Sequence, residues 1–147
     1  MKVRLAGVKF DAVFSSPLQR ARRTAELAGF SDPELTPLLR EVDYGDYEGL
    51  SSDEIHRTNP SWELYSDGSP GGETPAEIYA RAQEFIALAG ASGGRVLAFA
   101  HGHILRAVGA AWIRSGIAVA SGLMLDVATL SVLQDDGHRM IARWNVP

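Results

Sequence analysis

Three residues far apart in this chain have types and local settings suited to handling an anion: Arg20, Glu41 and His101. His101 opens the triplet His101-Gly102-His103, which follows the apolar run 96–100 and precedes a helical pattern from Ile104 to Ile113. Five apolar residues in a row read as a buried strand of a parallel sheet. The triplet therefore sits where a strand hands over to a helix, the place where open α/β sheets bind ligands. A ring nitrogen beside Gly102 and a helix N-terminus suits an anion, above all a phosphate. Arg20 lies near the mouth of an earlier helix, in which Arg20, Arg22 and Arg23 precede the first acid, Glu26. That order opposes the helix dipole, which favours acids at the N-terminus. An anion gripped by Arg20 resolves the conflict. For Arg22 and Arg23 a solvated basic face is the preferred account. Glu41 ends a second strand candidate. In a partly buried pocket such a carboxylate can have a raised pKa and act as a general acid. The plainer alternative is a loop acid, since Asp43, Asp46 and Glu48 share its loop.

The neighbouring polar and aromatic residues carry weaker signals. His103 is read as pointing away from the crevice. A metal site on His101 and His103 has no third ligand in view, so neither metal nor cofactor is expected. Tyr44, Trp62 and Tyr65 line a substrate pocket or cover the core; Tyr44 is taken as substrate-binding and Trp62 as core. His56 and His138 read as surface residues. The run Gly71-Gly72-Glu73-Thr74 either brings a turn near the site or launches a helix.

These side chains need elements to hold them. Residues 11–15 read as a short strand, and a helix is expected from Pro17 to Ala28, with Ser16 as N-cap and Gly29 closing it. Residues 34–40 form a weaker strand candidate. Ser51-Ser-Asp-Glu54 and Thr74-Pro-Ala-Glu77 are capping boxes opening two helices, the second reaching Ala91 with Ile78, Phe85 and Leu88 buried. Between them, residues 59–72 contain five Pro or Gly residues and form an ordered excursion loop. Residues 129–134, Asp135-Asp-Gly137 and residues 138–144 form a closing hairpin. Alternating β and α units argue for an α/β sheet covered by helices on both faces. Residues 1–7 look like the tail of a helix, so the chain begins mid-unit.

Composition narrows the function classes. At 147 residues the chain suits one domain. A net charge of −4 argues against a nucleic-acid surface. With no cysteine, thiol catalysis and zinc-thiolate sites are excluded. No secretory signal follows residues 1–4, and 107–113 is too short to cross a bilayer. No membrane partner and a cytoplasmic location are therefore expected.

Four segments together resemble the histidine phosphatase superfamily, which has the phosphoglycerate-mutase-like fold. They are Ser15-Ser-Pro-Leu-Gln-Arg-Ala-Arg-Arg-Thr-Ala25, Leu39-Arg-Glu-Val-Asp-Tyr-Gly-Asp-Tyr-Glu-Gly49, Pro70-Gly-Gly-Glu-Thr74 and Ala100-His-Gly-His-Ile-Leu-Arg106. They occur in family order, and the acid and broad-specificity phosphatase branches look nearer than the glycolytic mutases. The resemblance implies a three-layer αβα sheet. It also implies that Arg20 and Gly102 bind phosphate, that Glu41 donates the proton to the leaving alcohol, and that His101 supports the phosphoryl oxygens. The partner it implies is a small phosphorylated substrate or inorganic phosphate. Family members open with an Arg-His-Gly strand whose histidine is phosphorylated, and no such motif occurs before His56. The expectation is a truncated domain lacking its central strand and nucleophile, and so impaired in hydrolysis. A phosphate-binding pseudoenzyme is the alternative, as is mutase-type transfer if the missing segment is restored. The His101 strand would then pair with the hairpin or with a second chain, or be left as an open edge. Self-association is expected from the last two cases.

Overall fold

The structure is a computed structural model that describes residues 5–147. Of the helix tail expected over 1–7, residues 1–4 lie outside the described residues; Leu5 is helical and 6–7 turn away. Strand β1 (Ala12–Ser15) leads to helix α1 (Gln19–Ala28) and to a two-residue strand β2 (Glu34–Leu35). Helices α2 (Ser52–Thr58), α3 (Leu64–Asp67) and α4 (Pro75–Ala91) follow. Strand β3 (Val96–Phe99) feeds α5 (Gly102–Trp112), and the hairpin β4 (Leu130–Asp135) and β5 (Arg139–Val146) ends the chain. The parallel sheet has the order β2-β1-β3, with Ala12 opposite Val96 and Ser15 opposite Phe99.

Alternation along the strands explains the layers. Successive strand side chains face opposite ways, so Phe14 enters a core with Ile78 and Phe85 of α4 and Ile104 and Val108 of α5. Its neighbour Val13 packs on the other face with Ala25 and Ala28 of α1, Leu97 and Phe99. Phe14 and Phe85 meet edge to face at 5.9 Å. This is the expected mixed α/β arrangement with helices on both faces of a parallel sheet. The hairpin is antiparallel, as expected, but forms its own two-stranded sheet. It is anchored on α5 by Trp144: a Cβ on Gly109 would come within 2.8 Å of that ring. Strand β3 therefore pairs on one side only, with β1, among the described residues.

Local signals set most boundaries, and two expectations are corrected. Both capping boxes form, with the Ser51 and Thr74 hydroxyls accepting the Glu54 and Glu77 N–H and each glutamate answering. The first helix, however, begins at Gln19 rather than Pro17, with Leu18 still extended at its cap. Ser16 is not the N-cap, because its Oγ accepts the Leu18 N–H in a turn that precedes the helix. Gly29 closes the helix at φ 100°, where a left-handed turn suits glycine. The strand expected over 34–40 stops at Leu35. The Thr36 hydroxyl accepts the Leu38 N–H, and Pro37 starts a 3-10 turn.

Candidate functional site

Arg20 and His101 are 81 positions apart and meet at the carboxyl ends of β1 and β3. The Arg20 Nε–H donates to His101 Nδ1 at 2.8 Å. An arginine N–H is always a donor, so Nδ1 accepts and the ring proton sits on Nε2. Nε2 lies 2.8 Å from Ser16 Oγ, which accepts that proton's hydrogen bond. Ser16 is fully buried and His101 is 7% exposed. Burial and the Arg20 charge hold the His101 pKa below its usual value, with Glu41 opposing them. The ring is thus a neutral imidazole in one tautomer, clamped between a guanidinium and a hydroxyl. Ser16 has no base, because the nitrogen facing it carries the proton.

Glu41 stands at the mouth of α5. Its Oε1 accepts the Ile104 N–H at 3.0 Å and the Val42 N–H at 3.0 Å; its Oε2 accepts the His103 N–H at 3.3 Å. His103 does not point away from the crevice. Its Nδ1 is 3.6 Å from Glu41 Oε2 and 2.7 Å from the Tyr44 hydroxyl. The raised Glu41 pKa expected from burial is also corrected. Burial does push the carboxyl up, but the His103 hydrogen bond and charge, with the Val42 and Ile104 N–H groups, outweigh it and lower the pKa to about 2. Glu41 is a carboxylate at neutral pH, and it follows a 3-10 turn rather than a strand. Burial and the Glu41 charge keep Tyr44 a neutral phenol.

Behind Glu41, the turn at Gly71-Gly72 both approaches the site and launches α4. Asp46 N–H donates to Pro70 O at 2.8 Å, and Glu73 N–H donates to Asp43 O at 2.9 Å. Gly45 and Gly72 lie where the two backbones cross, with no room for a Cβ on either. Glu73 holds Arg81 through two bonds of 2.8 and 2.7 Å, and Arg81 donates to the Leu38 and Arg40 carbonyls. These bonds fix the 38–48 loop against α4.

Arg20, Arg40, Glu41, Tyr44, Tyr47 and Glu48 are among the residues lining a pocket of about 670 Å³. Of the residues named from sequence, Arg20, Glu41 and Tyr44 line it directly, and His101 sits behind Arg20. A Cβ at Gly102 meets nothing within 4 Å, so space remains beside that glycine. Tyr65 does not line the pocket; it is core, and its O–H donates to His103 O. Trp62 packs on the core, with its Nε1–H on Gly68 O. Arg22 and Arg23 are exposed, and so are His56 and His138. Sequence reading missed Ser16 as a partner of His101, Arg40 on the pocket wall, and His103. The signal for His103 was its place in the first turn of a helix whose mouth holds an acid.

The sequence pattern of the histidine phosphatase superfamily (branch 1) matches residues 1–147. An acid phosphatase of Mycobacterium tuberculosis is 38% identical over 133 residues, covering 88% of this chain. A 2,3-bisphosphoglycerate-dependent phosphoglycerate mutase of Methylocella silvestris is 35% identical over 125 residues, covering 72% of this chain. The chain spans 66% and 59% of the lengths of these two relatives. Among solved structures, the product of a Mycobacterium tuberculosis open reading frame superposes with a TM-score of 0.93 at 35% identity, over 99% of this chain and 78% of that one. A mycobacterial glucosyl-3-phosphoglycerate phosphatase in complex with inorganic phosphate superposes with a TM-score of 0.84 at 26% identity, over 99% and 81%.

Proposed function

This chain belongs to branch 1 of the histidine phosphatase superfamily, and on that footing we propose that its Arg20–His101 corner holds the phosphoryl group of a small phosphomonoester. The observation that carries this reading is the convergence of three separate segments, with Arg20 and Glu41 lining one pocket and His101 bonded behind Arg20. Arg20 supplies charge and a planar donor fork for phosphate oxygens. At the α5 mouth, where Glu41 already takes the His103 and Ile104 N–H groups, the Gly102 N–H adds one backbone donor. His101 supports the phosphoryl oxygens once Arg20 turns to the anion, and Tyr44 faces the ester's organic part. Such an arrangement stabilises a transferring phosphoryl group by position and charge.

His101, the histidine at the Arg20 corner, offers no free nitrogen to accept that group: Arg20 and Ser16 engage both. The reading is therefore that these 147 residues bind phosphate but do not turn over a generic phosphate ester at a useful rate. Hydrolysis through a phosphohistidine requires a segment of the family's Arg-His-Gly type to supply the acceptor. The likeness to a phosphoglycerate mutase supports mutase-type transfer as the second reading for such a completed site. The pairing of β3 on one side only, among the described residues, supports self-association, which light scattering would reveal.

The test is calorimetry with inorganic phosphate and with orthovanadate, on the native chain and on Arg20→Ala. Binding that the variant loses supports the reading; no response at millimolar phosphate sinks it. A robust ester hydrolysis rate abolished by His101→Ala would overturn the claim about turnover.

A further inference from the structure

The Glu41 carboxylate has almost no room for a proton of its own. Oε1 already accepts two N–H groups, and Oε2 accepts the His103 N–H while facing His103 Nδ1. A proton on Oε1 would set an O–H between two donors, while Oε2 faces the His103 ring nitrogen. The His103 imidazole, 38% exposed, faces Oε2 with Nδ1 at 3.6 Å, and the Tyr44 hydroxyl at 2.7 Å fixes the direction of Nδ1. The Tyr65 O–H donates to His103 O at 2.9 Å, holding the first turn of α5 so that the ring stays over Glu41.

We propose that His103 is a positioning residue for the acid–base group of this site: its imidazole faces the Glu41 carboxylate, favours its ionised form and aims the Tyr44 hydroxyl. The purpose of this arrangement rests on the phosphate reading above; its geometry does not. Arg40 lines the same pocket wall without an ion pair to Glu41, and the other charged groups nearby have partners of their own. Arg106, on α5, gives its guanidinium to the Ala120 and Ser121 carbonyls and lies over the Tyr65 ring. Glu48 accepts the Tyr44 N–H, and Glu63, beside α3, accepts the Ser121 hydroxyl. Arg20 and His101 are bonded to each other on the far side. Among the described residues, no other side chain is hydrogen-bonded or ion-paired to the Glu41 carboxylate.

A merely structural histidine and one that favours the carboxylate differ in what they do to Glu41. The experiment follows the side-chain carboxyl carbon of Glu41 by NMR against pH, with the resonance assigned by its loss in Glu41→Gln. In His103→Asn, a neutral amide keeps polar contact with Tyr44 but brings no charge. The Glu41 midpoint is then expected to rise by about one unit or more, a tenfold gain in proton affinity. In the native chain the Glu41 carboxyl signal should also show an inflection that follows the His103 ring signals, a measurement independent of whether the variant folds. An unchanged Glu41 midpoint in a folded variant, or a native carboxyl signal blind to the ring, overturns the proposal. Calorimetry with inorganic phosphate on the same samples separates the two readings. Coupled titration without phosphate binding defeats only the phosphate reading, and phosphate binding with uncoupled titration defeats only this one.

Discussion

Two histidines, two positions apart at one helix mouth, meet opposite surroundings. His101 is buried between the Arg20 guanidinium and the Ser16 hydroxyl. His103 is partly exposed beside the Glu41 carboxylate and the Tyr44 phenol. Nothing in the triplet itself distinguishes them. The difference comes from which distant segment reaches each ring: the turn before α1 for His101, and the loop before α2 for His103. On the reading proposed above, the site is thus split into a phosphate side, where a cation faces a neutral imidazole, and a proton side, where an imidazole faces an anion. Electrostatic partners brought by the fold decide what a histidine can do.

The largest expected effect tests the phosphate side alone. Arg20→Ala should weaken phosphate binding by roughly 10- to 100-fold, the usual worth of charge-assisted hydrogen bonds, while the Glu41 titration stays where it is. A calorimetric affinity within a factor of two of native would break the division. On the proton side, Glu41→Gln should remove about 3 kcal/mol of pH-dependent stability at neutral pH, from the fall of the Glu41 pKa from 4.5 to about 2. Because the folded pKa is lowered, that stability is present above pH 4.5 and is lost as pH falls towards about 2. Urea midpoints measured across that window should slope in the native chain and flatten in the variant. His101 adds to acid lability on the other side. Its pKa is lowered in the fold, so the unfolded chain takes up the proton first as pH drops below 6.5.

Smaller changes sharpen the contrast. Ser16→Ala leaves the His101 Nε2–H without its buried acceptor and should cost about 1–3 kcal/mol, read from chemical denaturation. The Glu41 carboxyl signal should not move in that variant. Arg23→Ala serves as the control: its pair with Glu26 is 65% and 51% exposed, and such surface pairs contribute about 0–1 kcal/mol. A loss of phosphate affinity on that substitution would mean that the basic face of α1, rather than Arg20 alone, forms the anion site.

Much of the architecture was legible because its causes are local. The Ser51 and Thr74 capping boxes satisfy helix N–H groups from three residues away, so their sequence pattern carries the geometry. Gly29 and Asp135-Asp-Gly137 are short-range turn signals of the same kind. Legibility failed where a side chain chose a distant partner over a near one. Ser16 reads as an N-cap, yet it serves a turn and His101 instead. Residues 34–40 read as a strand, yet Thr36 and Pro37 end it at once.

By itself the sequence determined the alternation of β and α units, the closing hairpin, the family, and the three residues Arg20, Glu41 and His101 as candidates. It did so because element type follows from patterning within a few residues, and because reactive side chains at strand and helix ends are visible in order along the chain. The tertiary structure alone decided that β3 pairs only with β1 among the described residues, that His103 turns towards Glu41, and that Glu41 is held ionised rather than neutral. Burial and hydrogen bonding pull a carboxyl in opposite directions. Which one wins depends on donors supplied by His103 and Ile104, some 60 residues further along the chain.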